Sequence, residues 1–397
     1  MPTRIDRVEL IRFKFEIKGV GLPPHGAAGV GNVIARKGGV LPFQRWAVRI
    51  HTDDGASGGY VTHWVGTPSS FGQAAMLAPH LVGRDPDARE EIWQDLRREV
   101  RAYDHMGHGP IDIALWDLQA RRLDTSVTRL LGEFRKRLPA YASTYHGQEE
   151  KGGLDTPAAF ARYAAACKKQ GFAGFKVHGW HDGDIKREIR NLFAVREAVG
   201  DDYPLMYDPA SQIRTWTDAL TVGRACDDAG YFWYEDPYRD TGGAVEGHKR
   251  LRERLKTPLL VCEHVRGLEA KAAFILADGG DIVHADPEYD MGITGALKIA
   301  HFCQSLGLDV QYHACGPAHR AILSATPNTH FYEMALMGPG MPNAVPPVYG
   351  DGYSDQPESI STKEMGVPVP DGLGLGVTYD WDFIEKNATE RLDFRLP

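Results

Sequence analysis

The feature that most constrains this chain is a change of texture after Arg137. From there, short β-type runs alternate with amphipathic segments long enough to be helices, the pattern of βα units on a parallel sheet. The runs are residues 138–143, 174–178, 205–208, 232–235, 259–263, 282–286, 310–313 and 329–333, with helical segments such as 156–170, 185–199, 217–229 and 293–306 between them. A parallel neighbour needs a crossover of this length. Eight such units imply a TIM-type barrel.

The rest of the chain frames that barrel. Residues around 4–16 and 45–51 alternate apolar and polar side chains, which predicts two strands, and the Gly-rich stretch 19–39 between them reads as a long loop. A loop of that length in a compact domain suggests an active-site lid, placed here at about residues 18–40. From Pro86 to Gly132 the pattern is helical, with Ile111, Ala114, Leu115 and Leu118 forming one stripe after the Gly109-Pro110 start signal. The expected organisation is an α+β capping domain over 1–135, a barrel over 136–350 and a C-terminal segment over 351–397. The Gly372-x-Gly374-x-Gly376 run in that segment lacks the spacing and context of a dinucleotide fingerprint.

Composition narrows the function classes. At 397 residues and 43% hydrophobic, the chain can bury a sizeable core, and its net charge of −8 is spread without a basic stripe, which argues against nucleic acid. No apolar stretch approaches the roughly 20 residues that span a bilayer, and Met1-Pro2-Thr3-Arg4 leads into a strand pattern rather than a signal peptide. A cytoplasmic location is the expectation. The five cysteines form no C-x-x-C pair, and Cys315, close to His313, reads as a buried thiol rather than a nucleophile.

Polar residues fall where barrel chemistry is done. Seven of the eight runs end in a titratable side chain, and active sites of this fold lie at the C-terminal ends of the strands. Asp208, Glu235 and Glu263 end successive runs 27 and 28 residues apart, one βα repeat each. Three carboxylates brought together repel unless a cation neutralises them, and all-oxygen donors suit Mg²⁺, with Mn²⁺ as the other candidate. Asp286 and His313 end the next two runs, so the carboxylate can hold the imidazole in one tautomer and make it a general base. Lys176 and His178 share a face of their strand; the first can stabilise a developing oxyanion or simply pair with a metal ligand, the second can act as an acid or base or as a polar wall. Glu333 can donate a hydrogen bond to a carboxylate if protonated, or form a salt bridge.

With Asp112-Ile-Ala-Leu-Trp-Asp117, Gly292-Ile-Thr-Gly295 after Asp286, and the closing Pro370-Asp-Gly-Leu-Gly-Leu-Gly376, these residues resemble the mandelate racemase group of the enolase superfamily over nearly the whole chain. The resemblance implies a modified (β/α)7β-type TIM barrel whose capping domain the C-terminal segment completes. It also implies Mg²⁺ on Asp208, Glu235 and Glu263, a small-molecule carboxylate substrate such as an acid sugar, α-proton abstraction by the His313–Asp286 dyad, Glu333 as a polarising acid, and a homo-oligomer. One departure stands out: the group's usual Lys-x-Lys reads Lys176-Val177-His178, so the second base lysine is absent. Dehydration is therefore favoured over racemisation, epimerisation or cycloisomerisation through the same enediolate; a catalytically silent sugar-acid-binding protein is a further alternative. His25, Arg36, Tyr145, His146 and Trp180 are candidates for contacting substrate hydroxyls.

Overall fold

Alternating hydrophobics build the first layer. In the computed structural model, which describes residues 3–22, 35–148, 150–180, 182–238, 244–363 and 366–396, strands β1 (Ile5–Gly21), β2 (Arg36–Thr52) and β3 (Ser57–Val61) form an antiparallel sheet. The chain returns at its C-terminal end to pair with β1 through Leu10 opposite Leu392. The strands run further than the alternation alone suggests. Pairing continues with Lys18 opposite Val40 and Val20 opposite Lys37, because Ile17, Val20 and Leu41 go on burying side chains while Gly38 and Gly39 take φ of +86° and +98° without Cβ strain. Residues 18–21 and 36–40, the two ends of the expected 18–40 loop, are therefore β-ribbon, and residues 23–34, with His25, lie outside the described residues.

The second layer is the barrel. Its parallel strands are β4 (Arg137–Thr144), β5 (Gly174–His178), β6 (Leu205–Asp208), β7 (Trp233–Glu235), β8 (Leu259–Val261), β9 (Ile282–Ala285), β10 (Asp309–Tyr312) and β11 (Tyr332–Leu336). They run in ring order from β4 to β10, with β11 beside β4. Between β10 and β11 side chains complete the curve, as Gln311 Nε2 donates to Phe331 O at 2.9 Å and the Gly316 N–H to the Tyr332 hydroxyl at 2.9 Å. A short β12 (Gly366–Pro368) adds antiparallel to β4, and β13 (Ala388–Arg395) is the strand on β1. Tyr141, Met206, Trp233, Leu260 and Ile282 fill the barrel interior as a cluster separate from the main core, so the barrel is plugged below its mouth. Among the described residues no helix is long and apolar enough to cross a membrane.

Buried acids join the two layers. On the helix His108–Arg122, Asp112 accepts from the Thr294 N–H and hydroxyl at 3.0 and 2.7 Å, while Asp117 accepts from Gly59 N at 2.9 Å and Leu375 N at 2.8 Å. Glu288, fully buried, accepts from Tyr60 Oη (2.9 Å), His63 N (2.7 Å), Trp64 N (2.7 Å) and Val65 N (3.0 Å), fastening the segment after β3 to the barrel. In Glu288→Gln an amide N–H would face two of these donors, leaving them unsatisfied. The expected loss is about 2–4 kcal/mol of stability, read as a lower denaturation midpoint.

Candidate active site

The strand ends bring the acids and bases together. Asp208 and Glu235 are the last residues of β6 and β7, while Glu263, Asp286 and His313 stand just past the ends of β8, β9 and β10. Glu333 is the second residue of β11 rather than its last. The backbone is strained here: Ala210, Asp236, Cys262 and Ala314 hold φ of +47°, +23°, +78° and +69°, each within two residues of one of these side chains. Non-glycine residues keep such angles only where the surroundings enforce them. Asp236 supplies part of that enforcement, accepting from Cys262 N at 3.1 Å and Glu263 N at 2.8 Å.

Lys176 lies at the centre. Its Nζ is 3.1 Å from Glu235, 3.1 Å from Glu333 and 3.6 Å from Asp208, and is almost wholly buried. His178 Nε2 is 2.8 Å from Asp208 Oδ2. Burial works against the ionised Asp208 and Glu333, but His178 and Lys176 hold the first, and Lys176 with His313 the second, well below the usual carboxylate range. Glu333 is thus ionised, the salt-bridge alternative of the two roles open to it. Glu235 goes the other way: burial, then the charges of Asp208 and Glu333, push it up.

His313 is oriented by its Nδ1, 2.7 Å from Asp286 Oδ2, which leaves Nε2 facing the cavity, 3.4 Å from Glu263 Oε1. Asp286 in turn accepts from Glu288 N at 2.6 Å and Tyr289 N at 3.2 Å. Burial favours the neutral imidazole, yet the charges of Glu263 and Asp286 prevail and push His313 up to about 10. A cation held by Glu263 would offset the larger of those charges.

The donor set fits a divalent cation. Asp208, Glu235 and Glu333 surround one lysine and Glu263 adjoins Glu235, so carboxylates outnumber the lysine that faces them. Ligand atoms of Glu235, Glu263 and His284 come within 4.8 Å of one another, whereas Asp208 is drawn toward His178 and Lys176.

His284 was not among the residues expected from the sequence. It sits two positions before Asp286 on β9, hence on the same face, with Nε2 2.7 Å from Glu235 Oε1, and burial lowers its pKa to about 4. Period-two alternation in Ile282-Val-His-Ala-Asp286 was the available signal, as it was for Lys176 and His178.

The cavity above these groups measures about 300 Å³. Tyr145 and His146 line it, as do Trp64, Tyr289 and His264, none of which the strand-end pattern indicates. Tyr289 stacks on His313 with ring centroids 5.4 Å apart, and Trp64 brings a side chain from the capping layer to 5.8 Å from the same ring. Two other expected contacts lie elsewhere. Trp180 is buried against Phe160, and Arg36 is 3.7 Å from Glu150 on the surface.

Trp180 instead marks how the loop after β5 is held. Its backbone N–H donates to Glu188 Oε1 at 2.7 Å, and burial raises the Glu188 carboxyl to about 7. A carboxyl whose folded pKa exceeds its unfolded value of about 4.3 stabilises the fold less as pH rises through the interval between the two. Glu188→Gln is expected to raise the melting temperature at pH 8, by up to about 3 kcal/mol of stability, and to have little effect at pH 4. Thermal denaturation at the two pH values checks it.

Comparison with known proteins agrees with this geometry. Residues 159–383 match the family model described as enolase C-terminal domain-like, and residues 44–132 match the mandelate racemase/muconate lactonizing enzyme N-terminal domain. A barrel whose strand ends carry acids and a His–Asp dyad beneath an α+β cap defines a class of enzymes, and this chain belongs to it: the enolase superfamily, in the mandelate racemase/muconate lactonizing enzyme group. It is 30% identical to a 3,6-anhydro-alpha-L-galactonate cycloisomerase of Streptomyces coelicolor over 88% of this chain and 93% of that one. It is 29% identical to an L-talarate/galactarate dehydratase of Salmonella typhimurium, a match covering 65% of this chain and 64% of the relative. The crystal structure of D-glucarate dehydratase from Agrobacterium tumefaciens complexed with magnesium superimposes with a TM-score of 0.82 at 28% identity, covering 98% of this chain and 99% of that one.

Proposed function

We propose that this protein is a Mg²⁺-dependent acid-sugar dehydratase that removes the proton α to a carboxylate and expels the β-hydroxyl, giving a 2-keto-3-deoxy acid. The observation that carries this reading is the dyad: Nδ1 of His313 is bound to Asp286, so Nε2 faces the cavity beside the carboxylate cluster. Asp208, Glu235 and Glu263 would hold the cation, which when bound makes the α-proton of a carboxylate acidic. The rest is the work of the chain's own residues. Lys176, buried among Asp208, Glu235 and Glu333, places a positive charge where the enediolate develops. His313 Nε2 takes the α-proton. His178, held by Asp208 at 2.8 Å where a second lysine would be expected, is positioned to give a proton to the departing hydroxyl. Loss of water leaves an enol, which tautomerises to the keto acid. Trp64, Tyr145 and Tyr289 wall the cavity and exclude bulk water.

The similarity to a cycloisomerase over most of the chain supports a second reading, in which the same enediolate expels an internal ether or lactone oxygen. The two readings are separated by incubating the purified protein with Mg²⁺ and a panel of mono- and dicarboxylic acid sugars and their anhydro and lactone derivatives in D₂O. 2-Keto acid from an open-chain acid sugar supports dehydration; turnover of cyclic substrates alone transfers the assignment to cycloisomerisation; deuterium exchange without keto acid points to racemisation. Full activity after exhaustive chelation would sink all three. A homo-oligomer is expected for such a barrel, and light scattering checks it.

A further inference from the structure

A hydrogen bond at one nitrogen does not fix an imidazole. Nδ1 of His313 is held 2.7 Å from Asp286 Oδ2, but the torsion about Cβ–Cγ is broad, so Nε2 keeps its direction only if the plane of the ring is held as well. Trp64 and His284 meet that plane at 50° and 84°, each with its centroid 5.8 Å away. Tyr289 lies nearly parallel to it, at 16° and 5.4 Å.

The backbone delivers the tyrosine together with the base. Tyr289 sits in the turn after β9 and its backbone N–H donates to Asp286 Oδ1 at 3.2 Å, so one carboxylate orders both the imidazole and the turn that carries the phenol ring. The next residue, Asp290, accepts from Asp286 N at 3.0 Å, Lys271 Nζ at 2.8 Å and Gly267 N at 2.9 Å, which ties this turn to the loop after β8. That loop presents Arg266, whose guanidinium carbon stands 4.1 Å from the Tyr289 ring centroid. Arg266 is not among the residues that line the cavity. Its ion pair with Asp104 of the capping layer is loose, 3.8 Å from Nε, and its Nη1 is buried without an acceptor among the described residues. A guanidinium so placed is held chiefly by the face of the ring, a contact that strengthens where water is excluded.

We propose that Tyr289 and, through it, Arg266 are positioning residues of the general base. The stacked phenol ring holds the plane of His313 so that Nε2 stays aimed at the α-carbon, and Arg266 holds the phenol ring. The inference rests on His313 being the base of the reaction proposed above. Misplacing a reacting group by about 1 Å can cost about 10²-fold in rate. The loss falls on kcat rather than KM, because the brace acts on the base and not on bound substrate.

The test compares the full-length wild type with Tyr289→Leu, Tyr289→Phe and Arg266→Gln in Mg²⁺, on whichever of D-glucarate, galactarate, D-gluconate and 3,6-anhydro-L-galactonate the wild type turns over fastest, and adds crystal structures of wild type, Tyr289→Leu and Arg266→Gln. Leucine keeps an apolar wall but offers no ring face. Tyr289→Leu is expected to lower kcat about 100-fold with KM little changed, and to show His313 in more than one ring orientation. Tyr289→Phe should recover most of that loss, and Arg266→Gln should lower kcat about 10-fold. Unchanged kcat in both Tyr289→Leu and Arg266→Gln overturns the brace. So does a rise in KM alone, which would make Tyr289 a substrate contact, or a loss in Tyr289→Phe as large as in Tyr289→Leu, which would make its hydroxyl a chemical participant. Each of these leaves the enzyme assignment intact. A wild type that acts on none of the four acids sinks the reading beneath instead, and the crystal structures then decide the brace alone: a single His313 orientation in both variants overturns it.

Discussion

His313→Asn is expected to lower 2-keto acid formation by about 10³-fold while leaving the fold and divalent-cation binding in place. Asparagine is close in size and can still bond to Asp286, whose carboxylate would otherwise lose its 2.7 Å partner in a buried setting. What it lacks is a titratable Nε2 at the cavity face. A general base in position contributes about 10²–10⁴-fold, and His313 has the geometry of one, with Nδ1 on Asp286 and Nε2 turned toward the carboxylate cluster. The measurement is keto-acid formation alongside α-proton exchange in D₂O. Loss of both identifies His313 as the group that takes the proton; loss of keto acid with exchange retained would assign that step to another residue and move His313 to hydroxyl departure.

Lys176→Met is expected to lower the stability of the metal-free protein markedly. Lys176 is 1% exposed and stands within 3.1 Å of both Glu235 and Glu333 and 3.6 Å of Asp208. Removing one partner of a buried ion network typically costs about 3–5 kcal/mol, because the remaining charges are left without a counter-ion. The deficit is expected to shrink as pH falls, since protonating the carboxylates removes the repulsion that the lysine offsets. It is also expected to shrink with added Mg²⁺, which stabilises whichever state binds it. Thermal melts with and without Mg²⁺ at two pH values check both directions. A variant as stable as the wild type in the absence of a divalent cation would mean that the carboxylates are held neutral by protonation, against the ionised state assigned to Asp208 and Glu333.

Much of this site can be read from the sequence because barrel strands report themselves. Runs such as 205–208 and 174–178 are short, apolar and bounded by helices, and their last residues stand where active sites of this fold stand. The same logic misplaced Glu333, whose strand begins at Tyr332 rather than Thr329, and passed over His284, because attention to run ends ignores inward-facing positions one step deeper. Trp180 shows the opposite error. A polar-edged aromatic near a strand end reads as a ligand contact, but its ring packs on Phe160 and its indole N–H donates to the Gln148 carbonyl.

The sequence by itself determined the barrel, the order of its acids and bases, and the His–Asp pair, since each follows from local periodicity and from one βα repeat between neighbouring strands. Only the tertiary structure decided which groups share a contact across the barrel and across the two layers. That Glu288 binds the segment at Trp64, that Trp64 then roofs His313, and that Arg45 on β2 lines the same small space as Asn343 are meetings of residues more than two hundred positions apart. Such meetings depend on how whole elements pack, and local sequence patterns carry no record of that packing.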